Sequence, residues 1–207
     1  MFPAVSLCMR TLRQPLFFVL FVFISGRSCD IIPDERFFII DMQVQDMEIT
    51  FEQLTHDNYS AACAIERDDI PESFVDTAST IMEINDYGFE HNLIGHTYLI
   101  RCDGSYVGLI LLGEAIPWET DPPQVKQEPF YRLMGFVIDR KFRSKGIGGL
   151  ALEGTISRVY QDFGVRPIVM GCHKDNRRAA LFYEKHGFKK TEYMEGNDFY
   201  YLRYPAE

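Results

Sequence analysis

The sequence predicts a single α/β domain whose mixed, partly antiparallel sheet is flanked by helices, and three observations carry that prediction. A run of strand formers, Tyr131–Ile138, leads into a glycine-rich turn, and Ala151, Leu152, Thr155, Ile156, Val159 and Tyr160 then recur at helical spacing. Two apolar runs, residues 97–101 and 106–112, flank Cys102-Asp103-Gly104-Ser105, and Asp-Gly at such a joint marks a hairpin. A further apolar run, residues 165–172, is followed by a helical pattern and two alternating strand runs. At 207 residues, 46% hydrophobic and 25% charged, the chain fills one core and leaves no room for a second full domain.

Residues 1–46 precede the domain. Arg10 and Arg13, the apolar residues 16–24 and Ser25-Gly26-Arg27-Ser28-Cys29 have the shape of an export signal. The uncharged run from Gln14 to Gly26 is thirteen residues, short of the roughly 18 to 20 that a spanning helix needs. No stable membrane insertion is expected. The segment is read as an N-terminal extension, signal-like or upstream of the true start, and the domain as residues 47–207 opening at Met47. Five scattered cysteines, Cys8, Cys29, Cys63, Cys102 and Cys172, give neither a disulfide framework nor the spacing of a zinc site. They point to a reducing, cytoplasmic setting and to no metal.

Within the domain, residues 49–51 read as a short strand. Thr55 or Asp57 is suited to cap a helix running through Tyr59, Ala62, Cys63 and Ile65 to Glu66, which Ile70-Pro71 ends. Phe74, Ala78, Ile81, Met82 and Ile84 suggest a second helix ending between Asn85 and Gly88. After the hairpin, residues 114–128 hold Pro117, Trp118, Pro122 and Pro123 and read as an inserted loop. Asp175 or Asn176 caps a helix through Ala180 and Tyr183, and Gly187 stops it. Residues 188–193 and 199–204 alternate around Glu195-Gly196-Asn197-Asp198, a closing hairpin.

The turn after Ile138 has the composition of an anion site. Gly146, Gly148 and Gly149 lack a Cβ, so backbone N–H groups can face a ligand, and the helix that starts there adds its unpaired N–H groups and positive dipole end. Neither Gly-x-Gly-x-x-Gly nor Gly-x-x-x-x-Gly-Lys-Ser/Thr is present. What is present is Arg143-x-x-Gly146-x-Gly148 and, about thirty residues later, Asn176-x-x-Ala179-x-x-Phe182-Tyr183-x-x-x-Gly187-Phe188. This pair of motifs resembles the GNAT superfamily of acetyl-CoA-dependent N-acetyltransferases over about residues 47–205.

The resemblance implies acetyl-CoA as cosubstrate, with its pyrophosphate held by Arg143, Ser144, Lys145, Gly146, Ile147, Gly148 and Gly149. It implies a bulge of the central strand near Phe136, Val137 and Ile138, whose freed N–H groups hold the acetyl carbonyl and pantetheine. Asn176 matches the family residue that contacts the pantetheine arm, and helix capping explains an Asn there equally well. Tyr183 matches the tyrosine that protonates the coenzyme A sulfur; otherwise it is a core aromatic. Many members place a Glu in the central strand. Residues 131–138 contain no carboxylate, so the nearest candidate base is Glu114, with deprotonation through water by several carboxylates as the alternative.

Phe130-Tyr131-Arg132-Leu133 followed by Phe136-x-Ile138-Asp139 resembles the diamine and polyamine (spermine/spermidine) branch, from which Gly135 and Arg143 depart. The expected acceptor is a small polyamine or diamine. The alternatives are a protein or antibiotic N-acetyltransferase, or a non-catalytic acetyl-CoA-binding module. The formal net charge of −9 suits a cationic small molecule and argues against nucleic acid as a partner. Asp68, Asp69, Glu72, Glu114 and Glu119 are the acids expected near the acceptor, and Trp118 is either a wall of its pocket or a packing anchor. A homodimer is left open.

Overall fold

The computed structural model describes residues 47–205, so the reading of residues 1–46 lies outside the described residues. Seven strands form one sheet: β1 (Ile49–Gln53), β2 (Gly95–Cys102), β3 (Ser105–Glu114), β4 (Tyr131–Ile138), β5 (Ile168–His173), β6 (Lys189–Glu195) and β7 (Asp198–Arg203), in the order β1-β2-β3-β4-β5-β7-β6. Only β4 and β5 run parallel, because α3 (Ile147–Phe163) carries the chain back between them. In the β2–β3 hairpin, Asp103 and Gly104 both have positive φ, 49° and 80°, as a two-residue primed turn requires. The mixed sheet and the hairpin are as the sequence predicts.

The remaining helices are α1 (Tyr59–Cys63), α2 (Ala78–Glu90) and α4 (Arg177–Lys185). The first two differ from expectation. α1 is a single turn of five residues rather than a helix reaching Glu66, and Asn58 occupies its N-cap position in place of Thr55 or Asp57. The Asn58 amide is spent on the strand–helix joint: Nδ2 donates to Gln53 O and Glu52 Oε1, both at 2.9 Å, while Oδ1 accepts from Thr55 N at 2.8 Å. Phe74 belongs to a separate 3-10 turn, Glu72–Phe74. α2 starts after Thr77, whose hydroxyl accepts from Thr80 N, and runs past Gly88 to Glu90.

Alternation along the strands divides the core between the two faces. Tyr98, Ile100, Ile110, Leu112, Ile168, Met170 and Tyr201 pack with α3 and α4; Leu99, Leu109, Leu111 and Val137 pack with α1 and α2. Phe130, Val169, Tyr200 and Leu202 form a third cluster with Val125 of the loop after β3.

β4 changes parity partway. Tyr131 and Leu133 belong to the α3 face and Met134 to the other, yet beyond them Phe136 and Ile138 belong to the α3 face. One extra residue accounts for it. Leu111 pairs with Met134 but Leu109 with Val137, so the bulge falls at Gly135 and Phe136, one residue before the expected span. Gly135 has φ +57°, and a Cβ there would sit 2.4 Å from Ile81 Cδ1. Only glycine suits that point. The β4–β5 ladder consists of two pairs, Tyr131 with Ile168 and Arg132 with Val169. Past Arg132 the two strands part.

Candidate active site

The parting of β4 from β5 opens a cleft of about 1390 Å³, lined by β4 residues 132–138, β5 residues 170–172, the glycine loop and α4. Because β4 has no ladder partner on this side beyond Arg132, its backbone N–H and C=O groups there are available to a ligand. At the loop end, Ser144 and Gly146 have φ of +63° and +84°. Gly146 is the N-cap of α3, whose first N–H groups have no intrahelical partners. Such a loop and helix start form a cradle for phosphate oxygens.

Of the residues assigned to that cradle, Arg143, Ser144, Gly146, Gly148 and Gly149 line the cleft. Ile147 is 2% exposed and packs in the core, so only its backbone can serve a ligand. Lys145 lies over the Phe142 ring. Arg143 does not point its charge into the cradle. Its Nε donates to Ile138 O at 2.6 Å, Nη1 to Asp69 Oδ2 at 2.6 Å and Nη2 to Glu66 O at 3.3 Å. The side chain braces the loop against residues 66–69, and its hydrogen bond holds the Asp69 carboxyl below its usual range.

Ion pairs around that brace take up two of the acids first assigned to the acceptor, Asp68 and Asp69. Glu66 pairs with Lys141 and Arg140, Asp68 with Arg140 and Asp69 with Arg143. Asp139, 6% exposed, ties the same two segments by accepting from Glu66 N and Lys141 N, each at 2.9 Å. Glu114 is set apart from the cleft as well. It pairs with Arg166 at 3.0 Å and lines a separate cavity of about 60 Å³ between α2 and the β2–β3 pair. The structure therefore does not bring Glu114 together with Tyr183, and its ion pair occupies the carboxylate that a base would need free.

Tyr183 does line the cleft. It is 8% exposed, surrounded by the rings of Phe136, Phe182 and Phe188 at 6.5, 5.3 and 5.5 Å, and its hydroxyl has no hydrogen-bond partner among the described residues. Burial, with the nearby Cys172 thiol second, pushes the phenol far above its ordinary pKa. It stays protonated at any working pH. The α4 terminus fixes its position: Gly187, with φ +80°, turns the chain so that Phe188 N donates to Tyr183 O at 3.0 Å. Asn176 caps α4, its Oδ1 accepting from Ala179 N at 3.1 Å, and the residue also lines the cleft. Phe136, Val137 and Ile138 also line the cleft.

The cleft wall also carries residues that the sequence did not single out. Asp76, Glu195 and Asp198 line it, and none has a Lys, Arg or His within ion-pair distance among the described residues. Burial raises the Asp198 carboxyl above its ordinary range; His173 opposes the rise, and Glu195 and Asp76 add to it. Arg67 fixes the segment bearing Asp76 by donating to the carbonyls of Val75 and Asp76. Trp118 is both wall and anchor: it lines the cleft with its ring stacked 3.7 Å from the Arg132 guanidinium. Arg132, 5% exposed, holds Asp121, 2% exposed, at 2.7 Å, which fastens the loop after β3. In the structure Asp198, read from the sequence as part of the hairpin turn, opens β7 directly opposite His173 of β5.

Comparison with known proteins agrees with this architecture. Residues 56–188 match the model of the acetyltransferase (GNAT) family. No curated protein matches the sequence. Among solved structures, the chain is similar to the aminoglycoside acetyltransferase AAC(6')-Ib in complex with coenzyme A, at 15% identity over 76% of this chain and 95% of that one, with a TM-score of 0.59. It is similar to the PaiA N-acetyltransferase of Thermoplasma acidophilum in complex with coenzyme A, at 15% identity over 76% and 99% of the two chains, with a TM-score of 0.55. Ard1 of Thermoplasma volcanium matches at 19% identity over 74% and 94%, with a TM-score of 0.51. At such identities the likeness is one of fold.

Proposed function

The chain belongs to the acetyltransferase (GNAT) family, and from that premise we propose that it transfers the acetyl group of acetyl-CoA to a primary amine of a small polyamine or diamine. Acetyl-CoA is the cosubstrate of this enzyme class, and the residues present suit it. The loop from Ser144 to Gly149 would receive the pyrophosphate on backbone N–H groups, and Asn176 Nδ2 and the freed edge of β4 would receive the pantetheine and acetyl carbonyl. Tyr183, a buried phenol that stays neutral, is suited to deliver a proton to the departing sulfur.

The observation that carries the acceptor assignment is the trio Asp76, Glu195 and Asp198, which line the cleft with no ion-pair partner among the described residues. A carboxylate without a counterion in a partly buried site attracts a cation. A diamine offers one ammonium to react and a second to pair with an acid left over, which fixes orientation as well as affinity. These three replace Asp68, Asp69, Glu72, Glu114 and Glu119 in that argument; Glu72 lines the cleft without contributing a contact.

Steady-state kinetics with spermidine, a monoamine of equal length, lysine peptides and aminoglycosides tests the proposal. A kcat/KM for spermidine at least about tenfold above the monoamine at low salt is expected, about 1.4 kcal/mol from the second charge. Equal values would sink the polyamine assignment. Preference for a peptide or an aminoglycoside would move the acceptor to that class. Binding of acetyl-CoA without release of free thiol from any amine would make the chain a binding module.

A further inference from the structure

β4 contains no carboxylate and Glu114 is paired with Arg166 outside the cleft, so the group that takes the proton from the attacking ammonium is not named by anything above. The geometry points to Asp198, at the first position of β7, as the residue that accepts that proton. This inference rests on the reading of the cleft as an amine acetyltransferase site.

Elimination supports the choice. The other titratable side chains near the parted strands are either committed to partners or exposed. Glu153 is held by Arg203 and His186 at 2.8 and 2.9 Å; although burial opposes its charge, those hydrogen bonds keep it below its ordinary range. His186 is the partner in that pair and lies against Gly149 in the phosphate loop. His173 accepts from Asp175 N at Nδ1, 3.3 Å, which leaves the proton of the neutral ring on Nε2 and no free lone pair on either nitrogen. Its ring is also stacked on Phe74 at 4.9 Å. Glu195 accepts from the Tyr200 hydroxyl at 3.0 Å and, like Asp76, is exposed. The Cys172 thiol is pushed up to about 11 by burial, with Asp198 second, and holds its proton.

Asp198 differs from all of these. It is half-buried, it accepts no hydrogen bond among the described residues, and it lies over β5 where that strand has left β4. A Cβ built on Gly171 would stand 3.4 Å from Asp198 Oδ2, so the missing side chain at Gly171 is what gives the carboxylate its place beside the strand edge. A second observation in the same cleft points to a ligand: the Tyr183 hydroxyl, on a side chain more than nine-tenths buried, lines the cleft without a partner. Cys172 is near enough to both to be raised by Asp198 and to raise Tyr183. Proton acceptor and proton donor thus flank one stretch of β5.

The step balances as follows. Asp198 takes one proton from the ammonium and the nitrogen lone pair forms the C–N bond to the thioester carbon, sending the carbonyl π pair to oxygen. That pair returns as the C–S bond breaks, and Tyr183 gives its proton to the departing thiolate. The phenolate regains a proton from the acetylated nitrogen, and Asp198 releases its own to water. One amide, one free thiol and one proton result. The titratable groups acting on Asp198 are His173 from β5, Glu195 from β6 and Asp76 from the segment before α2. Burial raises the carboxyl, His173 opposes the rise and Glu195 and Asp76 add to it, so the acid limb of kcat/KM lies above the ordinary carboxylate range.

The test compares wild type, Asp198→Asn and Asp198→Glu in the full chain, using an alkyl diamine and an arylamine already neutral at the assay pH. For the diamine, Asp198→Asn is expected to lower kcat/KM at neutral pH by about 100-fold or more, to erase the acid limb of the pH profile, and to leave the acetyl-CoA Kd within about twofold. For the neutral arylamine the loss should be less than about fivefold, since no proton has to be removed before attack. Asp198→Glu should recover part of the diamine rate. An equal loss for both amines, or an acid limb that survives in Asp198→Asn, overturns the assignment while leaving the acetyltransferase reading intact. A wild type that acetylates no amine overturns both.

Discussion

The cleft is flanked by acidic residues at the glycine loop, its loop end, and at the β6–β7 hairpin, its hairpin end, and the two differ in what faces them. At the loop end, Glu66, Asp68 and Asp69 are neutralised one by one by Lys141, Arg140 and Arg143, and Glu153 by Arg203 and His186. At the hairpin end, Asp76, Glu195 and Asp198 have no Lys, Arg or His within ion-pair distance among the described residues. Paired charge stiffens a scaffold; unpaired charge in a cleft attracts a cation. In the proposed function the loop end holds an anion on backbone N–H groups whose surroundings are already settled, and the hairpin end holds a cation.

The largest expected effect lies between the two ends. Tyr183→Phe should lower kcat by about 10² to 10⁴ while leaving the acetyl-CoA Kd nearly unchanged, because the hydroxyl matters only as the sulfur leaves. Single-turnover rates and calorimetric Kd values measure the two separately. A rate equal to wild type across the pH range would return Tyr183 to the core and leave the cleft with no proton donor between its ends.

Next in size is a substitution at the loop end. Gly146 sits at φ +84°, and a β-branched side chain in that region costs about 1 to 3 kcal/mol besides obstructing the approach of a phosphate. Gly146→Val is expected to raise the acetyl-CoA Kd by about 100-fold, with a modest fall in Tm. Unchanged affinity would mean that the backbone cradle is not what holds the cofactor, and the contrast between the two ends would lose its first half.

The contrast also explains what could be read from the sequence. Local signals were sufficient for the fold: Asp103-Gly104 set a hairpin, Gly187 a helix end, and Asn176 a cap, because each acts through its neighbours in the chain. The loop was legible for the same reason. Charge pairing was not. Arg143 and Asp69 are 74 residues apart in sequence, and nothing local tells an acid facing Arg143 from one facing an empty cleft. Asp198 reads as a turn residue until β7 is placed beside β5, a neighbour fixed by the whole sheet. The cap of α1 is misread from the sequence as Thr55 or Asp57: Asn58 holds the N-cap position, and its amide serves the end of β1.

The smallest effect sharpens the comparison most, because its sign differs between the ends. Folding lowers the Asp69 pKa through its hydrogen bond from Arg143. Its contribution to stability is therefore present above the unfolded pKa and is lost as the pH falls through the folded value. Folding raises the Asp198 pKa through burial. Its contribution is present below the unfolded pKa and is lost as the pH rises through the folded value. At neutral pH, Asp69→Asn should lower the Tm slightly and Asp198→Asn should raise it, and each difference should fade as the pH falls below both the folded and the unfolded pKa of its carboxyl. Thermal unfolding of the three proteins from acid to neutral pH, without ligand, gives the answer. The gain in Asp198→Asn would accompany the loss of activity expected of that variant, the pattern of a site that holds an uncompensated charge for its substrate. If Asp198→Asn instead destabilises the fold at neutral pH, then Asp198 has a native partner, and the hairpin end is a scaffold like the loop end.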